Sequence, residues 1–289
     1  MTTHLPSKNN KYPRCLSIAG SDSSGGAGIQ ADLKTFMALG CFGMAAITAL
    51  TAQNTVGVQG IQAVSADFLK LQIQSVIDDI GIDALKIGML HSPELVEVVA
   101  WAIEHYGLQQ VVFDPVMVAT SGDQLITEET MEVLVKRLFP LVTIITPNLD
   151  EAGWLLKQNL KTKKDLTVAV RFLQSMGARN VLIKGGHLPG DELWDVLALA
   201  SGAHHEFSSS RIPTHNTHGT GCTLSSAIAA YLALGLDLPS AVASSRDFIY
   251  QALKHGASVQ TGQGHGPLNH GFSPRSMHIQ DIADSKEQA

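Results

Sequence analysis

Residues 216–222 read Asn216-Thr217-His218-Gly219-Thr220-Gly221-Cys222, and a helical run of small and apolar residues, Thr223 to Leu234, follows at once. Two glycines bracket a hydroxyl residue directly ahead of a helix. That leaves backbone N–H groups bare at the positive end of the helix dipole, a ready anion site. Cys222 falls in the first turn of this helix, where the thiolate form is favoured. An anion cradle touching a base or nucleophile points to group transfer, with phosphoryl transfer foremost. The same letters also fit a tight turn into a core helix, with Cys222 a small buried thiol. As a nucleophile Cys222 needs a histidine base, and His218 is near only in sequence. As a general base it needs only a pKa set by the helix terminus.

Outward from this loop, short apolar runs alternate with amphipathic segments. Strands are expected at Cys15–Ala19, Met44–Leu50, Gly57–Val64, Ala84–Ile87, Val111–Phe113, Thr143–Ile145, Val181–Ile183 and Leu193–Leu199. Ser92-Pro93-Glu94 starts a helix with an N-cap, a proline at N1 and a first-turn acid. Leu95, Val98, Val99, Ala102 and Ile103 then recur at helical spacing. Thr127-Glu128-Glu129 starts another, with Ile126 and Met131 as a hydrophobic staple and Met131, Leu134, Val135 and Leu138 as its buried face. Nearly all-apolar strands alternating with helices predict an α/β fold, a mostly parallel central sheet with helices on both faces. One domain over residues 14–272 is expected, with flexible polar tails at 1–13 and 273–289 and no internal repeat.

In such a sheet, ligands bind beyond the carboxyl ends of the strands, and the polar motifs lie there. Gly20-Ser-Asp-Ser-Ser-Gly-Gly-Ala-Gly28 follows the first strand. It is out of register for a dinucleotide fingerprint, and no Gly-Lys dipeptide exists for a Walker loop. Small residues here, Gly20 and Ala27 among them, let a flat substrate approach the backbone; a flexible turn is the plainer reading. Lys86-Ile87-Gly88-Met89 straddles the end of the fourth strand, and Asp114-Pro115-Val116 follows the fifth. Asn148 and Glu151, three apart, share a helix face. Two carboxylates and an amide suit Mg2+, while Asn148 with Glu151 at N3 also reads as a capping box. Lys184 ends a strand ahead of two glycines, where it reaches phosphate as a point charge or turns to solvent. His215-x-x-His218 and His204-His205 lack a carboxylate at zinc spacing, so no transition-metal site is expected.

Composition narrows the class. The chain has 289 residues, 45% hydrophobic and 16% charged, enough for one large α/β domain or two small ones. A formal net charge of −6 gives no general attraction for nucleic acid or anionic lipid. Cys15, Cys41 and Cys222 are scattered and form no Cys-x-x-Cys, which argues against a disulfide framework. The polar start has no apolar signal core, and no apolar run reaches membrane-spanning length, so a cytoplasmic location is expected.

Taken together, these motifs resemble the ribokinase-like superfamily and, within it, the hydroxymethylpyrimidine/phosphomethylpyrimidine kinases of thiamine biosynthesis. The resemblance runs from about Arg14 to Phe272. It is carried by Ile18 to Phe36, Ile47-Thr-Ala-Leu-Thr-Ala-Gln-Asn-Thr55, Lys86-Ile-Gly-Met-Leu90, Asp114-Pro-Val-Met117, Ile145-Thr-Pro-Asn-Leu-Asp-Glu151, Lys184-Gly-Gly-His187 and Asn216 to Thr223. It implies ATP-dependent phosphorylation of a pyrimidine hydroxymethyl group, then a second transfer onto the monophosphate. It makes Cys222 the base, with Gly219, Thr220 and Gly221 holding charge on the phosphoryl group. Gln53 becomes the pyrimidine contact, with Asp32, Met89, Val116, Gly20 and Ala27 around the ring. Asp114, Asn148 and Glu151 fall in the Mg2+–phosphate region, and Lys184 and Thr217 on the nucleotide phosphates. It implies a homodimer acting on ATP and a small molecule. A pyridoxal or pyridoxine kinase of the same fold is the alternative enzyme. Relatives of that kind carry a second cysteine in the flap, which here reads Val118-Ala119-Thr120-Ser121-Gly122. Thr120 stands where many of these kinases have lysine. A non-catalytic sensor of a vitamin precursor is the alternative from another class.

Overall fold

The computed structural model describes residues 10–117, 126–186 and 188–281; the flap residues Val118 to Gly122 and His187 lie outside them. Its central sheet is built around Arg14–Asp22 (β2), in which Cys15, Leu16, Ile18 and Ala19 are all buried. Successive strand residues point to opposite faces, so burying neighbours requires a layer on each side. Among the described residues the sheet has nine strands, in the order His204–Ser210 (β10), Glu192–Ala198 (β9), Val181–Lys184 (β8), Ile144–Ile145 (β7), Val111–Phe113 (β6), Ala84–Ile87 (β5), β2, Phe42–Asn54 (β3) and Gly57–Ala63 (β4). The six from β8 to β3 run parallel. Antiparallel partners close both edges, β4 on one and β9 with β10 on the other. The expected sheet is present. The strand β10 was not expected: it exposes every second residue and offers Phe207 as its lone large apolar side chain, so no apolar run marks it.

The two faces sort residue by residue. Leu16, Leu85, Val111, Ile145 and Ile183 pack beneath Ala66–Asp79 (α2), Pro93–Tyr106 (α3), Glu128–Arg137 (α4), Leu149–Leu156 (α5) and Lys163–Ser175 (α6). Their immediate neighbours Cys15, Ala84, Val112, Ile144 and Leu182 pack against Gly28–Ala38 (α1), Thr220–Ala233 (α7) and Leu238–Gly256 (α8). The helix starts at Ser92 and Thr127 fall where expected, although Val98 and Val135 are half-buried rather than core. Helix α7 is buried from Thr223 to Ala233. Its small residues let it lie close across β2, β5 and β6.

The described parts of the two expected tails are paired. Asn10–Lys11 (β1) pairs with Gln280–Asp281 (β11), and the N–H groups of Arg275 and His278 donate to Ala38 O and Gly40 O. Residues 10–13 and 273–281 are therefore tied to the domain. Backbone pairing does this, and it leaves no trace in side-chain polarity.

One polar cluster lies within this packing. Lys86 on β5 and Asp32 on α1 are both fully buried, with Lys86 Nζ 2.8 Å and 3.0 Å from the carboxylate oxygens. Ser17 Oγ on β2 donates to Asp32 at 2.5 Å, and Ser226 Oγ on α7 at 2.6 Å. Burial would strip Lys86 of its proton, but Asp32 outweighs that and holds its pKa above the usual lysine value. Removing one partner of a buried ion pair strands a charge and costs about 3–5 kcal/mol, whereas neutralising both is nearly free. Lys86→Met should therefore lower the urea unfolding midpoint by the equivalent of about 3–5 kcal/mol, and Lys86→Met/Asp32→Asn should recover most of it. Wild-type stability in the single variant would show that the pair holds nothing together.

Candidate active site

A cavity of about 650 Å³ opens at the carboxyl ends of the parallel strands and is floored by the start of α7. Gly219 makes this floor possible. Its φ is +83°, and a Cβ there would sit 1.9 Å from Gly26 O, so only glycine lets the loop turn and touch the β2–α1 loop. Thr220 N–H donates to Thr217 O at 3.3 Å. The N–H groups of Gly221 and Cys222 make no hydrogen bond among the described residues. A Cβ on Gly221 would stand 3.3 Å from both Asp114 Oδ2 and Lys184 Nζ, so bare backbone faces an ion pair.

His218 locks this loop in place. Its Nε2 is 2.8 Å from Asp22 Oδ2, and its N–H donates to Gly266 O at 3.1 Å. Asp22 also accepts from the N–H groups of Ser24, Gly26 and Ala27 at 2.9, 3.1 and 2.8 Å. Burial would raise its pKa, but His218, Ser24 and the Ala27 N–H overcome it and hold the carboxyl far below the usual range. His215 faces His265 instead, with ring centroids 6.5 Å apart.

On one wall, Asp114 at the end of β6 accepts from Lys184 Nζ at 2.7 Å and from Thr146 Oγ1 at 3.1 Å. Lys184 keeps its proton, since Asp114 and Glu151 outweigh its burial. Asn148 caps α5: its Oδ1 accepts from Glu151 N–H at 2.9 Å, and Glu151 accepts from Asn148 N–H at 2.7 Å. The capping box and a place on the cavity wall are thus both true of this pair. Burial pushes the Glu151 carboxyl up to about 7; Lys184 opposes the rise and the charge of Asp114 adds to it. Among the described residues no group of three or more His, Cys, Asp or Glu could cage a metal. The all-oxygen pair Asp114 and Glu151 still fits Mg2+, which takes one or two carboxylates and completes its shell with water and phosphate.

Gly20, Ala27, Gln53, Met89, Val116 and Thr217 also line the cavity. Asp32 is the exception among the residues expected around a ring: it is fully buried behind Lys86 and off the cavity wall. The thiolate expected at Cys222 meets an opposing influence. Burial pushes the Cys222 thiol up to about 11; Lys86 and the Gly28 N–H favour ionisation, while Asp32 and Asp114 oppose it. Sequence reasoning placed Lys86, Thr51, Asp22 and His218 inside its motifs but gave Lys86 and Thr51 no role and did not foresee the Asp22–His218 contact. A lysine inside the apolar run Ala84–Ile87 was the available signal for the first; residues 196 apart in sequence gave none for the last.

Comparison with known proteins supplies a family. The model for phosphomethylpyrimidine kinase matches residues 22–269. A hydroxymethylpyrimidine/phosphomethylpyrimidine kinase of Escherichia coli K12 is 45% identical over 90% of this chain and 98% of its own. The thiamine biosynthesis bifunctional protein ThiED of Geobacter sulfurreducens is 48% identical over 90% of this chain, which spans about half, 53%, of that longer protein. Among solved structures, an ADP complex of Bacillus subtilis pyridoxal kinase superposes with a TM-score of 0.83 at 38% identity, covering 90% of this chain and 98% of that one.

The raised thiol has a direct consequence. Cys15 and Cys41 are buried, so Cys222 is the accessible thiol, and the thiolate is its reactive form. Its alkylation by iodoacetamide in the ligand-free protein should speed up roughly tenfold per pH unit from neutrality to about pH 10. A plateau reached below pH 8 would mean that the helix terminus outweighs burial.

Proposed function

The chain belongs to the phosphomethylpyrimidine kinase family, and on that premise we propose that it transfers phosphate from ATP to the hydroxymethyl group of 4-amino-5-hydroxymethyl-2-methylpyrimidine, and then to the resulting monophosphate. One observation carries the proposal. One cavity is lined by Gln53, Met89 and Val116, by Lys184 and Asn148, and by the α7 terminus with Cys222.

The residues divide the work. Gln53 offers an amide to the polar edge of the pyrimidine, and Met89 and Val116 flank the ring. Lys184, Asn148 and Thr217 meet the nucleotide phosphates. Asp114 and Glu151 would hold Mg2+ through water, and that ion would neutralise triphosphate charge. The N–H groups of Gly221 and Cys222, free of other partners among the described residues, grip the phosphoryl group in flight, so positioning and fixed dipoles supply most of the rate. Phosphoryl transfer through a loose transition state asks little basicity of the acceptor oxygen. Its proton leaves late, to the sulfur of Cys222 in the minor thiolate form, and turnover rises with pH across the neutral range.

A homodimer is part of the reading; the exposed edge strand β4 and the exposed Leu50, Val56 and Ile61 around it support a second copy there. No helix among the described residues is long and apolar enough to cross a membrane, and we place the enzyme in the cytoplasm, where both small polar substrates reside. The likeness to a pyridoxal kinase favours phosphorylation of pyridoxal as the second reading.

A coupled ADP-release assay, with mass analysis of the products from the aminopyrimidine alcohol and from pyridoxal, tests the choice. The mono- and diphosphate of the pyrimidine are expected. Tight binding without ADP release would leave a sensor, and faster turnover of pyridoxal would exchange the substrates. In the same assay Cys222→Ala should lose at least about a hundredfold in kcat, the lower end of what a general base supplies, with nucleotide affinity little changed. Near-normal turnover would remove the sulfur from the reaction.

A further inference from the structure

Gln53 stands near the end of β3 with its backbone pinned. Its N–H donates to Ser23 Oγ at 2.8 Å, and the same hydroxyl donates to Gln53 O at 2.8 Å. The single proton of Ser23 is thereby accounted for. Gln30, in the first turn of α1, is equally determined: the Asp22 N–H can only donate, so the atom 2.8 Å from it is Oε1. Its Nε2 then donates to Ser21 Oγ at 2.8 Å.

Thr51 sets a different problem. It lies two residues before Gln53, on the same face of the strand. Its Oγ1 is 2.8 Å from Ser21 O and 3.1 Å from the Gln53 amide atom placed as Oε1. A hydroxyl has one proton, and a backbone carbonyl can only accept. The shorter contact to Ser21 O therefore takes the proton of Thr51. Its second contact, to Gln53, must then be one in which Thr51 accepts, and only the amide nitrogen can donate. Oxygen and nitrogen of a carboxamide are told apart by their partners rather than by shape.

We infer that Thr51 is a positioning residue that turns the Gln53 carboxamide with Nε2 toward its own hydroxyl, and so fixes the order in which the cavity offers acceptor and donor to a ring edge. The order matters because an aminopyrimidine presents an amino donor beside a ring-nitrogen acceptor. One amide order meets that edge with the neighbouring hydroxymethyl arm on one side; the reversed order meets it with the ring turned over and the arm on the other. Thr51 thereby selects the ring orientation that carries the arm to the phosphoryl group. It also selects against a pyrimidinone of the same shape, whose ring N–H and carbonyl present the opposite order. This inference rests on the substrate reading above, and its test separates the two.

Neutron diffraction from deuterium-exchanged crystals of the ligand-free protein reads the amide directly: two deuterons are expected on the Gln53 atom facing Thr51. Calorimetry reads the consequence. Wild-type protein should prefer the aminopyrimidine alcohol over its 4-oxo counterpart by about a hundredfold, since a mispaired edge leaves buried polar groups unsatisfied. Thr51→Val should shrink that ratio below about tenfold, and Thr51→Ser, which keeps the hydroxyl, should restore it. A bare oxygen facing Thr51, or an undiminished ratio in Thr51→Val, would overturn the inference. Deuterons in the expected place with no binding of the amino compound would uphold the amide orientation and overturn the substrate.

Discussion

Everything in the cavity depends on one backbone contact: Gly219, at φ +83°, lying against the carbonyl of Gly26. Any side chain at residue 219 would collide with that carbonyl. Because none is present, the start of α7 reaches the loop after β2, and two distant parts of the chain share one pocket. The Asp22–His218 contact at 2.8 Å then fastens the loops side to side. The open N–H groups of Gly221 and Cys222 inherit their direction from this arrangement, with the buried helix behind them as a rigid support.

The electrostatics follow from how little of the charge is left uncommitted. Lys86 is spent on Asp32 beneath the floor, and Lys184 on Asp114 in the wall. Both lysines that line the cavity thus rest against a carboxylate, and burial favours the protonated form of its thiol. In the proposed reaction an arriving phosphate competes with Asp114 for Lys184, which leaves a carboxylate beside Glu151 for a hard cation. The same rearrangement brings in the negative charge that the α7 amides complete. A site that balances its charges internally avoids the cost of isolated buried ions and still exchanges partners when an anion enters.

Much of this was legible from the residues. Strands such as Ala84–Ile87 and Val111–Phe113 show as apolar runs because helices cover both their faces. The site motifs show because an open parallel sheet gathers ligands at its strand ends. What failed to show had physical reasons. The strand β3 runs on to Asn54, past its apolar stretch, because the β4 hairpin pairs with it away from the core. Asp32 was expected around the ring on the family resemblance; only packing joins it to Lys86, 54 residues on. The thiolate expected at Cys222 came from weighing the helix terminus alone; burial, which pushes the thiol up, is not readable from the loop's letters.

The central claim is that the amides at Gly221 and Cys222 hold the migrating phosphoryl group while the sulfur faces its acceptor. A crystal structure with a non-hydrolysable ATP analogue and the aminopyrimidine alcohol tests this most directly. The account predicts the terminal phosphate on those two N–H groups and the hydroxymethyl oxygen within hydrogen-bonding reach of Cys222 Sγ. A terminal phosphate seated elsewhere, with the sulfur out of reach of both ligands, would contradict it.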